Sequence, residues 1–180
     1  MKPFLIWVGG KTRSMKHILK NLPKEYNKYY EPFIGGGSVF MRLNNKKAYL
    51  SDKNKQLINT YKQIKKNGKK VTNSVNKLII QYNNSKNKRS YYEKIRKLYN
   101  QEIMKNGTFY SSILFIFLGR ASFNGLYRLN KKGLYNSPWG RHDKLKMFCY
   151  KKEDMGRSCI NLFEISDYLN NSTVRLEYKD

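Results

Sequence analysis

At 180 residues and 21.4 kDa the chain has room for one domain with a substantial core, with or without a small insertion, and too little for two full domains. Lys and Arg outnumber Asp and Glu by 37 to 12, a formal charge of +25 that argues against a polycationic partner and for a polyanion, nucleic acid before an anionic membrane surface. An AT-rich coding sequence would enrich Lys, Asn, Ile and Tyr by itself, so the charge alone does not decide; hydrophobic residues at 39% and aromatics at 14% do exclude a disordered chain.

Met15, Ile18, Leu19 and Leu22 fall at i, i+3, i+4 and i+7, which predicts an amphipathic helix over 12–22 that stops before Pro23. Residues 29–34 form a short apolar and aromatic run ending at glycine, as a buried strand does, and Ser38 stands where it can cap a short helix through Val39, Phe40 and Leu43. Ala48, Tyr49 and Leu50 predict a second strand stopping at Asp52, and Leu57, Ile58, Tyr61 and Ile64 the next helical face. Strand, glycine loop, helix, strand, acidic residue, helix is the opening of an α/β parallel sheet, whose ligand edge lies at the carboxyl ends of the strands.

The character changes at Asn67, after which the chain is polar and lysine-rich to about Arg89; the faces that follow (Tyr92, Ile95, Leu98, Tyr99, then the apolar run 113–118) show no strand alternation. This predicts three parts: 1–66, the first half of a ligand-binding domain; 67–145, a mostly helical insertion; and 146–180, a return with Ile165, Tyr168 and Leu169 on a helix and a strand over 173–178. Cys149 and Cys159 fit no CxxC or Cys/His spacing, and His17 and His142 are far apart, so no metal is expected. The apolar stretch in MKPFLIWVGGK is too short for a signal peptide and no run approaches the ~18 apolar residues of a membrane span, so an intracellular setting without a membrane partner is expected.

EPFIGGGSVF at 31–40 places Gly35, Gly36 and Gly37 after a strand, where missing Cβ atoms permit unusual backbone angles and close ligand approach. The phosphate fingerprint G-x-G-x-x-G is incomplete because position 40 is Phe40, so a dinucleotide pyrophosphate is not supported. Asp52, at the end of the second strand, suits a ribose diol; it also suits the cap of the following helix. WVGGKT near the amino terminus fails the P-loop spacing, since position 5 is Leu5, and leaves Trp7 and Lys11 as an indole wall and a cation beside a ligand, or as a core ring and a solvated lysine.

Taken together, W-x-G-G-K at 7–11, E-P-F-x-G-G-G-S-V-F at 31–40 and Asp52 in LSDKN resemble the Dam-type DNA adenine N6-methyltransferases, and FNGLYRLNKKGLYNSPWGR at 123–141 resembles that family's DNA-reading segment. The resemblance covers essentially the whole chain. It implies an α/β fold with an incomplete Rossmann-like class I methyltransferase sheet, a helical DNA-recognition insertion, and S-adenosylmethionine as methyl donor. Trp7, Lys11, Glu31, Phe33, Gly35, Gly37 and Asp52 would then surround the cofactor. Asn124, Leu126, Arg128, Asn130 and Arg141 would face double-stranded DNA, with arginine suited to guanine, asparagine to adenine, and Leu126 or Tyr127 to wedging beside a displaced base.

One part of the family pattern is missing. The family aligns the adenine N6 lone pair with Asp-Pro-Pro-Tyr, but this chain has only Pro3, Pro23, Pro32 and Pro138, no two adjacent. NSPW at 136–139 resembles that motif only superficially, because it lies inside the DNA-reading segment. No catalytic residue is therefore assigned, and the expectation is an amino-terminal portion stopping one strand short of the motif, inactive alone, or one half of a split enzyme completed by a second polypeptide. A DNA-binding protein that has lost catalysis is the alternative.

Overall fold

The computed structural model of the protein describes residues 1–44, 47–105, 107–150, 160–171 and 173–179. Three short strands, β1 (Tyr29–Glu31), β2 (Lys47–Asp52) and β3 (Thr173–Tyr178), form a parallel sheet in the order β1-β2-β3. Because Tyr30, Tyr49 and Arg175 share one row of the register, they point to the same face, where the two tyrosine rings stack 4.7 Å apart and the Arg175 guanidinium lies over Tyr49. Ala48, Leu50 and Val174 point to the opposite, buried face. The predicted strand over 29–34 is shorter than expected because the chain turns at Pro32 and again over 34–37, the second turn closed by a bond from the Gly37 amide to the Ile34 carbonyl.

Helix α1 (Met15–Asn21) forms as predicted, yet none of its residues is buried and Leu19 is exposed; its apolar stripe lacks a covering layer among the described residues. Helix α2 (Ser38–Leu43) starts one residue earlier than a serine cap would allow. Gly37, in the left-handed region at φ 73°, is the capping residue, and Ser38 is the first residue of the helix.

Helix α3 (Lys55–Asn84) spans 30 residues as two helical segments joined at a kink at Asn67, the residue at which the character of the sequence changes. Asn67 breaks the backbone regularity at φ −161° and ψ 80°, and its side-chain oxygen accepts from the Lys70 amide, so the helix restarts there. The lysine-rich run continues as helix because Val71, Val75, Ile79 and Tyr82 bury one continuous stripe. Helices α4 (Lys88–Ile103) and α5 (Phe109–Ala121) follow, capped by Asn87 and Thr108. The run Ile113 to Leu118 is buried all round, so α5 is the core helix, packed on α3 and α4, with Phe4 and Leu5 also in that core. Helix α6 (Leu162–Asn171) packs on α3 and leads into β3.

Between α5 and α6 the described residues have almost no regular structure, and asparagines, Asn76 buried and Asn83 and Asn100 half-buried, do the work of a sheet. Asn76, Asn83 and Asn100 each donate to the carbonyl and accept from the amide of one residue, respectively Phe148, Leu145 and Tyr135, at 2.8–3.0 Å. An amide side chain carries one donor group and one acceptor, so it matches an extended residue on both counts and lets irregular backbone run against helices without orphaned polar groups.

Candidate functional site

A cavity of about 420 Å³ opens over the carboxyl ends of β1 and β2. Trp7, Lys11, Glu31, Phe33, Gly35 and Asp52 all line it, joined by Ser38 and Lys53, which sequence reasoning did not single out. Gly37 is not among its lining residues; a Cβ there would lie 2.6 Å from the Tyr61 hydroxyl. Gly35, at φ 49°, is approached by the Trp7 indole, whose Cδ1 would sit 2.6 Å from an added Cβ. The close approaches that demand glycine here therefore come from the protein's own rings as they shape the cavity wall. The buried Tyr61 hydroxyl donates to the Gly35 carbonyl at 3.0 Å and locks the turn from below.

Two carboxyl groups in this cavity are held differently. Burial pushes the Glu31 carboxyl from its ordinary 4.5 up to about 7, while hydrogen bonds from the Tyr29 hydroxyl, at 2.9 Å, and the Phe40 backbone pull it the other way. Asp52 is buried where Glu31 is half-buried, and each of its oxygens holds one bond: one accepts from the Gly35 amide and the other from the Asn54 amide, both at 3.0 Å. The cap of α3 is Asn54, whose side chain accepts from Leu57, so Asp52 instead braces the glycine turn against the start of α3. Each carboxylate oxygen keeps a second lone pair, so Asp52 can still accept from a ligand hydroxyl.

The amino-terminal segment reaches this cavity through packing. A tight turn from the Gly10 amide to the Trp7 carbonyl brings Lys11 back over the site, where its ammonium donates to Gly9, and Thr12 bonds Ser38 at the start of α2.

Residues 122–139 fold back on themselves as an irregular hairpin, with antiparallel bridges at Ser122–Trp139 and Leu129–Tyr135. Its turn is built by Asn130, whose side-chain oxygen accepts from the Lys132 and Leu134 amides, with Gly133 at φ 72°. Asn124, Arg128, Asn130 and Arg141 are all exposed, and Asn124 and Arg141 adopt left-handed backbone at φ 51° and 57°. Arg128 donates from Nε and Nη2 to the side-chain and backbone oxygens of Asn136 at 2.8 and 3.1 Å, which fixes the plane of its guanidinium. Leu126 is half-buried and its carbonyl is held by Ser137 and Tyr135. Tyr127 packs inward against Trp7, Phe115 and Tyr135, so the exposed apolar side chains of the segment are Phe123 and Leu129. Phe123 was legible as an apolar residue opening a polar stretch. NSPW is framework: Ser137 is buried, and the Trp139 indole donates to Tyr82.

A parallel sheet with a glycine turn at the end of its first strand and an acid at the end of its second, beside an exposed basic hairpin, defines an α/β protein with a cavity at the carboxyl ends of its strands. The comparison with known sequences gives the family: residues 7–174 match the D12 class N6 adenine-specific DNA methyltransferases, and the chain belongs to that family. It is 33% identical over 177 residues to the type II methyltransferase M1.LlaDCHI of Lactococcus lactis subsp. cremoris, covering 98% of this chain and 57% of that protein. It is 38% identical over 160 residues to the type II methyltransferase M.MjaIII of Methanocaldococcus jannaschii, 82% of this chain and 55% of that one. It is 31% identical over 180 residues to the DNA adenine methylase of Haemophilus influenzae, 96% of this chain and 61% of that one. The chain thus spans somewhat more than half the length of these relatives. No helix among the described residues is long and apolar enough to cross a membrane.

Proposed function

We propose that this chain is the cofactor-holding and DNA-reading portion of a site-specific adenine N6-methyltransferase, with S-adenosylmethionine in the cavity over 31–37 and duplex DNA along 123–141, on a Rossmann-like class I sheet divided as 1–66, 67–145 and 146–180. The observation that carries this reading is the pair of unlike carboxyls in one cavity of a chain belonging to this family. The half-buried Glu31, its pKa raised by desolvation, has no cation paired with it among the described residues, and the ammonium of the cofactor's methionine part supplies one. Asp52 accepts the ribose hydroxyls on its remaining lone pairs, Lys11 lies where a carboxylate can pair with it, and Trp7 and Phe33 offer ring surface. Gly37 acts indirectly, by admitting Tyr61 beneath the turn. When bound, the cofactor supplies an electrophilic methyl group on a sulfonium.

On DNA, the fixed Arg128 fork suits guanine O6 and N7, and Arg141 either a base or a phosphate. Asn124 is better placed than Asn130 to read adenine, because the oxygen of Asn130 is already taken by its own turn. Leu126 supports the segment and Phe123 is its exposed wedge. Lysines around it neutralise phosphates. The acceptors that align adenine N6 come from an Asp-Pro-Pro-Tyr-bearing polypeptide, continuous with this chain or separate, and these 180 residues alone transfer no methyl group. A DNA substrate makes the setting intracellular.

Calorimetric titration of S-adenosylmethionine into the purified chain tests the reading: saturable binding is expected, and Asp52→Ala should abolish it. The absence of adjacent prolines favours, as the second reading, a DNA-binding protein without catalysis. Salt-sensitive DNA binding with no cofactor binding would support that instead.

A further inference from the structure

We propose that Tyr127 is a positioning residue that ties the DNA-reading segment to the cofactor cavity through Trp7, so that cofactor and duplex DNA bind with positive coupling. This rests on the two-ligand reading above. The Trp7 indole lines the cavity and fills the space left by the missing Cβ of Gly35, while the Tyr127 ring stacks on it at 5.8 Å between centroids and 21° between planes. Tyr127 sits in sequence beside Arg128, whose guanidinium faces outward on the hairpin.

The segment carrying Trp7 makes no strand pairing, so its position is set by what touches it on either side. On the cavity side, an added Cβ at Gly36 would stand 3.1 Å from the Leu5 carbonyl. On the hairpin side, an added Cβ at Gly125, which lies at φ 65°, would meet the Ile6 Cβ at 2.6 Å. The two glycine surfaces meet one irregular segment at successive residues, Leu5 and Ile6.

Immobilising that segment costs conformational entropy, and either ligand must bear the cost if it binds first. DNA held by Arg128 and Phe123 fixes residues 123–128, and with them the ring against which Trp7 rests. The cofactor then meets an indole already in place, and by reciprocity a bound cofactor helps DNA by the same factor. Tyr127 is suited to transmit this because it is held from behind as well: Phe115 and Tyr135 contact its ring and its hydroxyl lies 3.4 Å from that of Tyr99.

The test is a calorimetric titration of S-adenosylmethionine into the full chain, alone and with a saturating short duplex carrying the sequence enriched from a randomised pool. Cofactor affinity should rise about five-fold or more with DNA, and DNA affinity by an equal factor with cofactor. Tyr127→Phe, which keeps the stacked ring, should keep that factor, as should Leu129→Ala in the same hairpin. Tyr127→Leu should bring it to within about two-fold of unity while leaving both ligands able to bind alone, and Tyr127→Met, which keeps volume without a ring plane, must do the same. Independent binding of the two ligands by the unaltered chain overturns the coupling and leaves the two-ligand reading standing. A wild-type factor in either folded variant removes Tyr127 from it. No cofactor binding under any condition overturns the reading itself, and the inference with it.

Discussion

The cavity over β1 and β2 and the hairpin at 122–139 both depend on glycines with positive φ, asparagine or aspartate caps and a fixed charged group, yet they are built at different depths. In the cavity the glycine turn is packed against Trp7 and Tyr61, and its brace, Asp52, is buried. In the hairpin the turn is closed by Asn130 at the surface, and an added Cβ at Gly133 would meet nothing within 4 Å. The difference teaches that the same local grammar can be welded to the core or merely presented by it. Changes in the first region should cost the fold, and changes in the second only recognition.

Gly37→Val gives the largest expected effect. A valine at φ 73° is strained in itself, and its Cβ would meet the Tyr61 hydroxyl at 2.6 Å with no room for that fully buried ring to retreat. A loss of more than about 3 kcal/mol is expected, read as a large fall in the thermal midpoint or as insoluble protein. A variant melting within a few degrees of the parent would show that the turn is not welded to the core.

Glu31 provides the next test, through pH. Its folded pKa of about 7 exceeds the ordinary 4.5, so the folded state holds the proton more tightly than the unfolded chain does. The associated stability is therefore fully present below about pH 4.5 and is lost as pH rises through 7, by about 3 kcal/mol in all. Other groups titrate too, so the relevant quantity is the difference from Glu31→Gln: the variant should gain on the parent between pH 5 and about 8, as followed by denaturant melts. Cofactor binding runs in the opposite direction, since the ammonium pairs with the ionised carboxylate. Affinity should rise through pH 7 in the parent and stay flat in Glu31→Gln.

How much of this was legible in the sequence follows the same division by depth. The strand, glycine turn, helix, strand and Asp52 were readable because period and turn chemistry are local properties. Trp7 and Lys11 were readable from WVGGKT with two roles left open, and Glu31 came with the family resemblance. What could not be read is who fills the space above each glycine: Tyr61 lies 24 residues beyond Gly37 and looked like one more apolar face position. That the chain turns helical again directly past the kink at Asn67 was hidden because the lysines of α3 outnumber the four-residue stripe Val71, Val75, Ile79 and Tyr82 that holds its second segment. The asparagine clamps were invisible for a related reason. Asn76, Asn83 and Asn100 read as coding bias or solvation until their partners, 35 to 72 residues away, were in place.

On the hairpin, Arg128→Ala should leave stability near the parent's and weaken binding to the preferred duplex by about 1–3 kcal/mol, with sequence preference relaxed at one position. Lys132→Ala is the contrast. It should lower affinity for all duplexes alike and reduce the salt slope by about one, because a phosphate contact carries no sequence information. A relaxed preference from the lysine change, or a uniform loss from the arginine change, would exchange their roles.

Gly133→Ala gives the smallest effect and bears most directly on the comparison. Gly133 has φ 72°, almost the angle of Gly37 at 73°, so an alanine carries the same backbone penalty of about 1–2 kcal/mol at either place. At Gly133 that penalty is the whole effect, since open space surrounds the new methyl group. It is further reduced because the turn bonds through Asn130 remain and a surface hairpin can open locally without unfolding α3 or α5. The global melt should therefore move little, while amide exchange at Lys132 and Leu134 should quicken by up to about ten-fold, the equivalent of 1.4 kcal/mol of local stability. Equal thermal losses for alanine at Gly37 and at Gly133 would mean that the backbone angle, and not depth, governs both turns.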